Sequence, residues 1–369
     1  AATGSAGAAF RLGNLSTAQL AALNDNPATV AVDNDGKAAE RVNYLRGDRS
    51  RERRLGGSLR NRSSLFGAVV HSAAIVIGAP AKDEYDDTLW PAGSPEARSS
   101  VKYKDFAATN QNRATTVYVG ANDGMLHALD GNTGAERFAY VPYATFANLG
   151  KLTDPMYQFE PTVDNAVTVR DVYTNGAWRS LLVGTLRRGG QSVYALDVTN
   201  PGVLERNAGS VVQWEFSDRS SDGADLGYTY GQPFITRLAN GKWVVLVPGS
   251  YNSNVADGAA GSGNAVLYVL DAETGAKLHK FDLGAIDGNA RGLAAPIAVD
   301  LQSDDIAEFA YAGDLAGNLW RFDLTSARPA SWTASKLFAP TTPFERPITA
   351  QPRAERHPET KQPMVFVGT

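Results

Sequence analysis

The same order of four runs returns along most of this chain, and few folds can accommodate it. A Pro-led run opens each unit: Pro161-Thr-Val, Pro233-Phe-Ile-Thr, Pro296-Ile-Ala-Val and Pro347-Ile-Thr-Ala. A β-branched and aromatic run ending in Gly follows, as at Ala74–Gly78, Thr116–Gly120, Leu181–Gly184, Val244–Gly249, Phe309–Gly313 and Val365–Gly368. A third run ends in Asp (Met125–Asp130, Val193–Asp197, Leu267–Asp271, Leu319–Asp323), and a fourth leads out, as at Glu136–Val141 and Lys277–Leu283. Units that recur every ~50–70 residues in this order are the signature of radially repeated four-stranded sheets. The expected class is therefore all-β, a β-propeller with irregular loop insertions and short helices.

The punctuation of the repeat has a physical basis. Gly after a strand allows a left-handed turn at no steric cost. Asp at the end of the next strand can bond its own loop backbone, and Asp-x-x-Thr-Gly at Asp130–Gly134 and Asp271–Gly275 completes such a turn. Pro at a strand's first residue costs no ladder bond. Asp130, Asp197, Asp271 and Asp323 are accordingly read as turn residues and not as catalysts.

Ahead of the repeat, Ser16 is placed to cap a short helix over Thr17–Leu23. Residues 41–64 are strongly basic, and the expectation is a solvated arm that packs through Tyr44, Leu45 and Leu55. The division expected is an arm over 1–64 and a propeller over 65–369. Within the arm, Arg46-Gly47-Asp48 matches an adhesion-receptor ligand triplet and is a candidate receptor contact. Ala1–Ala9 has no basic region of the kind a signal peptide carries, and Met364–Val367 is a strand-like run that stops at Gly368-Thr369. Both ends read as those of a piece of a longer protein, with the propeller cut inside a blade.

One loop departs from the frame. Asp300–Glu308 (DLQSDDIAE) sets side-chain oxygens at its first, third, fifth and ninth positions: Asp300, Gln302, Asp304 and Glu308. Ile306, at the seventh, offers its backbone carbonyl. Calcium is a hard cation that takes six to eight oxygens, and alternating positions on a tight loop can point them at one centre. The helix–loop–helix calcium hand begins in this way, but it has Gly where this loop has Asp305 and a bidentate Glu where this chain has Tyr311. The residue set expected to bind Ca²⁺ is Asp300, Gln302, Asp304, Ile306 and Glu308, on a strand-flanked loop. The stretch Asn252–Gly263 is also rich in Gly, Asn and Asp, and is read as a flexible loop and not a second cation site.

Composition narrows the function. The net charge of −4 argues against a nucleic-acid partner, and no window holds the ~18 apolar residues of a membrane helix. With no cysteine, thiolate chemistry and disulfides are excluded. The four histidines (His71, His127, His279, His357) are scattered without zinc spacing, and no nucleophile–base constellation can be named.

Longer motifs carry a resemblance. NYLRGDRS (43–50), RNRSSLFGAVVHSAAIVIGAP (60–80), TTVYVGANDGMLHALDGNTGAERFAYVP (115–142), VYTNGAWRSLLVGTLRRGGQSVYALDVTNPG (172–202), GNAVLYVLDAETGAKL (263–278) and AVDLQSDDIAEFAYAGDLAGNLWRFDL (298–324) together resemble the C-terminal domain of the PilC/PilY family. These are type IV pilus biogenesis factors and tip adhesins. The resemblance implies a modified β-propeller with quinoprotein dehydrogenase-like blades and no enzymatic activity. It implies export to the bacterial surface, association with minor pilins at the pilus tip, contact with host or abiotic surfaces, and support of pilus extension and twitching motility. It also implies a calcium loop at Asp300–Glu308, in which Asp300, Asp304 and Ile306 match the family motif. Gln302 and Glu308 stand where the family usually has Asp or Asn, and Asp. Two alternatives accompany this reading. One is a quinone-dependent dehydrogenase, for which six tryptophans are present but the adjacent cysteine pair is not. The other is a pilus assembly scaffold without a cation.

Overall fold

Short β-branched runs separated by tight turns pair most readily with their sequence neighbours. In the computed structural model, which describes residues 2–3, 6–29, 31–203, 205–249, 251, 253, 260–284, 292–343, 345–360 and 362–369, they do so four times over. The first blade comprises Ile75–Ile77, Thr116–Ala121, Met125–Asp130 and Glu136–Tyr140. The second is Thr168–Thr174, Ala177–Thr185, Ser192–Asp197 and Val212–Ser217. The third is Phe234–Leu238, Trp243–Gly249, Val266–Asp271 and Lys277–Asp282. The fourth is Ile297–Val299, Phe309–Gly313, Leu319–Asp323 and Thr333–Phe338. Every consecutive pair within a blade is antiparallel. A hairpin, Arg353–Arg356 with Pro363–Phe366, follows the fourth blade. The all-β propeller expected from the repeat is the fold of this chain.

The aspartates that end the third strands are turn formers. Asp130 Oδ1 accepts from the amides of Asn132 and Thr133, and Asp271 Oδ1 from those of Glu273 and Thr274. Asp197 and Asp323 accept from Thr199 and Thr325 in the same way. Gly134 and Gly275 close their turns at φ +71°.

The Pro-led runs behave in two ways. After Pro233 and Pro296 a strand begins at the next residue. At Pro161 and Pro347 the expected strand is not formed, and the first strands start only at Thr168 and Arg353. The backbone there bonds the preceding blade's turn instead of a neighbouring strand. The Thr162 amide donates to Asn122 Oδ1 at 2.8 Å, and the Ile348 amide to the Asp314 carbonyl at 3.0 Å. Asp314 itself is fully buried and accepts from Asn318 and from the Trp320 indole, a structural role.

Alternate residues of one strand serve two seams. Leu182 and Leu196 pack toward Tyr118 and Leu126 of the first blade. Leu181, Val183 and Ala195 pack toward Val245 and Tyr268 of the third. A third cluster, with Leu246, Val269 and Phe322, joins the third and fourth blades. Both faces of the central strands are thus buried, which is why their sequences are continuous apolar runs and not alternating ones.

The helix Thr17–Asn24 carries the expected Ser16 cap, completed by Gln19 as a capping box. It packs with helix Ala38–Leu45 on Met125, Val141 and Leu149 of the first blade and its exit. The basic arm is solvated along much of its length, with Arg46, Arg51, Arg53 and Arg54 exposed. Tyr44 is buried and Leu45 half-buried, but Leu55 is exposed, and Arg41 and Arg62 are buried. The burial of Arg62 has an electrostatic cause. The single Glu52, wholly buried, ion-pairs with Arg49 (3.0 Å), Arg54 (2.8 Å) and Arg62 (3.1 Å), and Arg62 lies 3.5 Å over the Tyr44 ring. Burial pushes the Glu52 carboxyl up, but hydrogen bonds from Arg49 and Arg62 outweigh it and hold its pKa at about 2.

Between the first two strands of the first blade, residues 79–113 leave that blade and cross the second to reach the third. Tyr85, Trp90 and Tyr103 gather around Trp178 of the second blade, with ring centroids 5.3, 5.9 and 4.9 Å from it. The Tyr85 and Tyr103 hydroxyls both donate to Asp171, on its carbonyl and its carboxylate. Glu96 ends the crossing on Arg237 of the third blade, accepting from Nε at 2.8 Å and Nη2 at 3.1 Å, and from the Trp243 indole at 3.0 Å. Both partners are 1% exposed. Removing one member of such a pair strands a buried charge, whereas replacing both with apolar groups does not. Glu96→Ala is expected to destabilise the protein by about 3–5 kcal/mol, and the double change of Glu96 and Arg237 to Met by much less. Chemical denaturation of the three proteins measures both values.

Candidate metal centre

The acidic loop is wound by its first residue. Asp300 directly follows the first strand of the fourth blade. Its Oδ1 accepts from the amides of Gln302 (2.9 Å) and Ser303 (2.6 Å), and its Oδ2 from that of Asp305 (2.7 Å). Ser303 and Asp305 take left-handed φ values of +59° and +62°, which bends the chain into a curl. Asp305 thus does what Gly does at the sixth position of a calcium hand. Asp304 Oδ1 accepts from the Ile306 amide at 3.1 Å.

The curl brings carboxylates together. One ligand oxygen each from Asp300, Asp304 and Glu308 lie within 4.8 Å of one another. Two oxygens that each sit ~2.4 Å from a shared Ca²⁺ are separated by no more than ~4.8 Å, so the donor set fits a calcium-sized ion. Among the described residues this is the one group of three or more His, Cys, Asp or Glu with such spacing. Glu308 is buried, and the other two are half-buried.

Gln302 stands beside the triad. Its side-chain amide nitrogen donates to Glu308 Oε1 at 2.8 Å, while the Leu301 amide donates to Oε2 at 2.7 Å. The bond is made by the amide nitrogen, so Gln302 Oε1 is still available as the oxygen ligand expected from the sequence. Ile306 and Ala307 form a two-residue strand parallel to Arg237 and Leu238 of the third blade, so the loop's exit joins the neighbouring sheet. Asp305 turns away from the triad toward Arg170 of the second blade, at 3.9 Å. Burial raises its pKa, Arg170 opposes that, and the charges of Asp300, Glu84 and Asp304 add to it.

The Arg46-Gly47-Asp48 triplet lies just past helix Ala38–Leu45. Arg46 pairs with Glu205 at 2.5 Å and donates to the Phe10 carbonyl. Gly47 has φ +106°. The Asp48 carboxylate is exposed and accepts from the amide and hydroxyl of Ser50. Of Asn252–Gly263, residues 252 and 254–259 lie outside the described residues.

A second polar cluster escaped the sequence reading. A cleft of about 780 Å³ opens between the arm and the first blade, lined by Phe10, Tyr44, Phe66, His127 and Phe138 among others. His127 lies in it with Nδ1 2.7 Å from Glu136 Oε2 and Nε2 3.1 Å from both Asp123 oxygens. The Phe66 ring sits 4.4 Å from the imidazole, and Asp123 also accepts from the Gly67 amide. Burial alone would lower the His127 pKa, but Asp123 and Glu136 raise it to about 9. The only signal in the sequence is the hairpin that folds Glu136 back onto His127. None of the four histidines stands near another, so no motif marks it.

Comparison with known proteins follows the same lines. A family model described as the PilY1 beta-propeller domain matches residues 66–369. The chain is similar to the type IV pilus biogenesis factor PilY1 of Pseudomonas aeruginosa strain UCBPP-PA14, at 35% identity over 393 residues, covering 98% of this chain and 31% of the relative. It is also similar to a type IV pilus biogenesis factor PilY1 homolog of Xylella fastidiosa, at 38% identity, covering 90% of this chain and 25% of the relative. Among solved structures it resembles the crystal structure of the P. aeruginosa PilY1 C-terminal domain, with TM-score 0.63 and 35% identity, over 79% of this chain and 58% of that one. The chain thus spans under a third of the length of these curated relatives.

The His127 cluster has a consequence for stability. A histidine whose pKa is higher folded than unfolded stabilises fully below the unfolded value of about 6.5, and that contribution disappears as pH rises through the folded value. Stability should therefore fall between pH 6.5 and about 9 in the wild type. The His127→Gln variant should be less stable at pH 6.5 and lack this slope. Denaturant midpoints across that pH range test it.

Proposed function

The chain belongs to the PilY1 β-propeller family, and on that premise we propose that it is a non-enzymatic, Ca²⁺-binding module of a type IV pilus biogenesis factor. The observation that carries the cation is the convergence of Asp300, Asp304 and Glu308. Gathering three carboxylates in a small volume costs free energy through mutual repulsion. When bound, Ca²⁺ supplies the positive charge that offsets it. Asp300, Gln302, Asp304 and Glu308 are the side chains that would hold the ion, with Ile306 offering its carbonyl. Gln302 also steadies Glu308 through its amide nitrogen, and the backbone amides of Gln302, Ser303 and Asp305 keep Asp300 in place.

The wider role follows from the relatives, whose printed names are those of type IV pilus biogenesis factors. The module would act at the pilus tip with minor pilins and support extension, twitching motility and attachment to host or abiotic surfaces. Arg46, Gly47 and Asp48 are a candidate receptor contact; Arg46 and Asp48 are both exposed, Arg46 pairing with Glu205 and Asp48 accepting from Ser50. The location would be exported, at the cell surface or in the periplasm. No described helix is long and apolar enough to cross a membrane. The non-enzymatic reading is supported by the relatives' names.

Calorimetric titration should give a saturable Ca²⁺ heat for the wild type, a weaker one for Mg²⁺, and none for Asp304→Ala. A bound ion also stabilises the folded state by mass action, by about 2.7 kcal/mol at a hundredfold excess over Kd, so chelator should lower the wild-type Tm and leave Asp304→Ala unmoved. A wild type that shows no heat at millimolar Ca²⁺ leaves a cation-free scaffold as the reading.

A further inference from the structure

We infer that the Asp300–Glu308 loop governs the crossing segment 79–113, so that the state of a loop on the fourth blade is read out over the seam of the second and third. This rests on the cation reading above and names the element that the loop regulates.

Two separate contacts carry it. The first runs through Asp305, which faces Arg170. Arg170 donates from Nε to the Tyr85 hydroxyl at 2.9 Å and from Nη1 to the Ile235 carbonyl at 3.0 Å. Its guanidinium lies 5.6 Å from the ring centroids of both Tyr85 and Trp243. The second runs through the backbone. Ile306 pairs with Arg237, and the side chain of that same Arg237 holds Glu96. Tyr85 and Glu96 belong to the crossing segment and stand at its near and far ends on the blades. A loop of nine residues therefore reaches one strap twice, through residues of two different blades.

The loop's shape is what makes both contacts. Ser303 and Asp305 take left-handed φ, the Asp305 carboxylate lies beside Arg170, and the oxygens of Asp300, Asp304 and Glu308 converge. The same curl delivers Ile306 to Arg237. Carboxylate repulsion within the triad opposes the curl, and Glu84 of the segment adds negative charge within reach of Asp305. Neutralising the triad keeps the curl closed, and with it the Arg170 and Arg237 contacts. Opening the curl withdraws the acid that faces Arg170 and loosens the pairing at Arg237. The Tyr85–Trp90–Tyr103 cluster can then lift from Trp178 and Trp243, which exposes an aromatic face on the second and third blades.

Hydrogen–deuterium exchange on the whole chain, with Ca²⁺ or with chelator, tests this when paired with calorimetry. In the wild type, amides of residues 85–107 should exchange ~tenfold more slowly at a free Ca²⁺ concentration about ten times Kd. Asp305→Asn tolerates the left-handed backbone and lies outside the triad, so it should keep the calorimetric heat yet lose most of that protection. Chelator should also shift wild-type tryptophan emission to the red, and should not shift that of Asp304→Ala. Three results overturn the inference. These are Ca²⁺ binding by the wild type with no change in exchange at 85–107, full protection retained by Asp305→Asn, and no heat at all from the wild type, which removes the cation reading as well.

Discussion

Every blade in the middle of this chain is buried on both faces, and that constraint shapes everything else. A strand sandwiched between two neighbours has no polar face to turn outward. Its backbone groups are satisfied within its own sheet, and its side chains alternate between two seams, as Leu181 and Leu182 do. Polar recognition is therefore left to the turns and to the segments that connect them. Asn122 and Asp314, at the inner turns, reach across to the next unit's backbone. The Asp300–Glu308 loop and the crossing segment 79–113 are larger versions of the same device.

What could be read in advance was what local chemistry dictates. Asp before a turn, Gly at a left-handed position and Pro ahead of a strand each act over a few residues. The four turn aspartates, the Ser16 cap and most strands accordingly stood out in the sequence. The acidic loop was legible for the same reason, since a nine-residue curl contains its own geometry. Asp300, Asp304 and Glu308 converge as their spacing suggested, and Asp305 takes the left-handed conformation in place of Gly.

The rest depends on partners far away in the chain. Glu96 and Arg237 are 141 residues apart, and nothing near either one announces the pair. Pro161 and Pro347 look like Pro233 and Pro296, but their neighbours bond a turn in another blade. The basic arm is solvated at Arg46, Arg51, Arg53 and Arg54, as its composition suggests, but Leu55 does not pack and Arg62 is buried. A single buried Glu52 accounts for the burial of Arg62, and it also pairs with Arg49 and Arg54. His127 was overlooked because its carboxylate partners come from a turn and from the opposite strand of a hairpin.

Gln302 has one more consequence, and it concerns time. It contributes a neutral amide, which also bonds Glu308, where an Asp would contribute a negative charge. Cation affinity in oxygen-ligand loops rises with the number of charged ligands. Association of small ions with an open loop is fast, so a lower affinity is expressed mainly as quicker departure. A loop built on three carboxylates and an amide would hold its ion briefly and follow the free concentration outside. A loop with a fourth charge would retain its ion and report mainly on past exposure. On the proposed Ca²⁺ reading, one neutral side chain would favour tracking over storage.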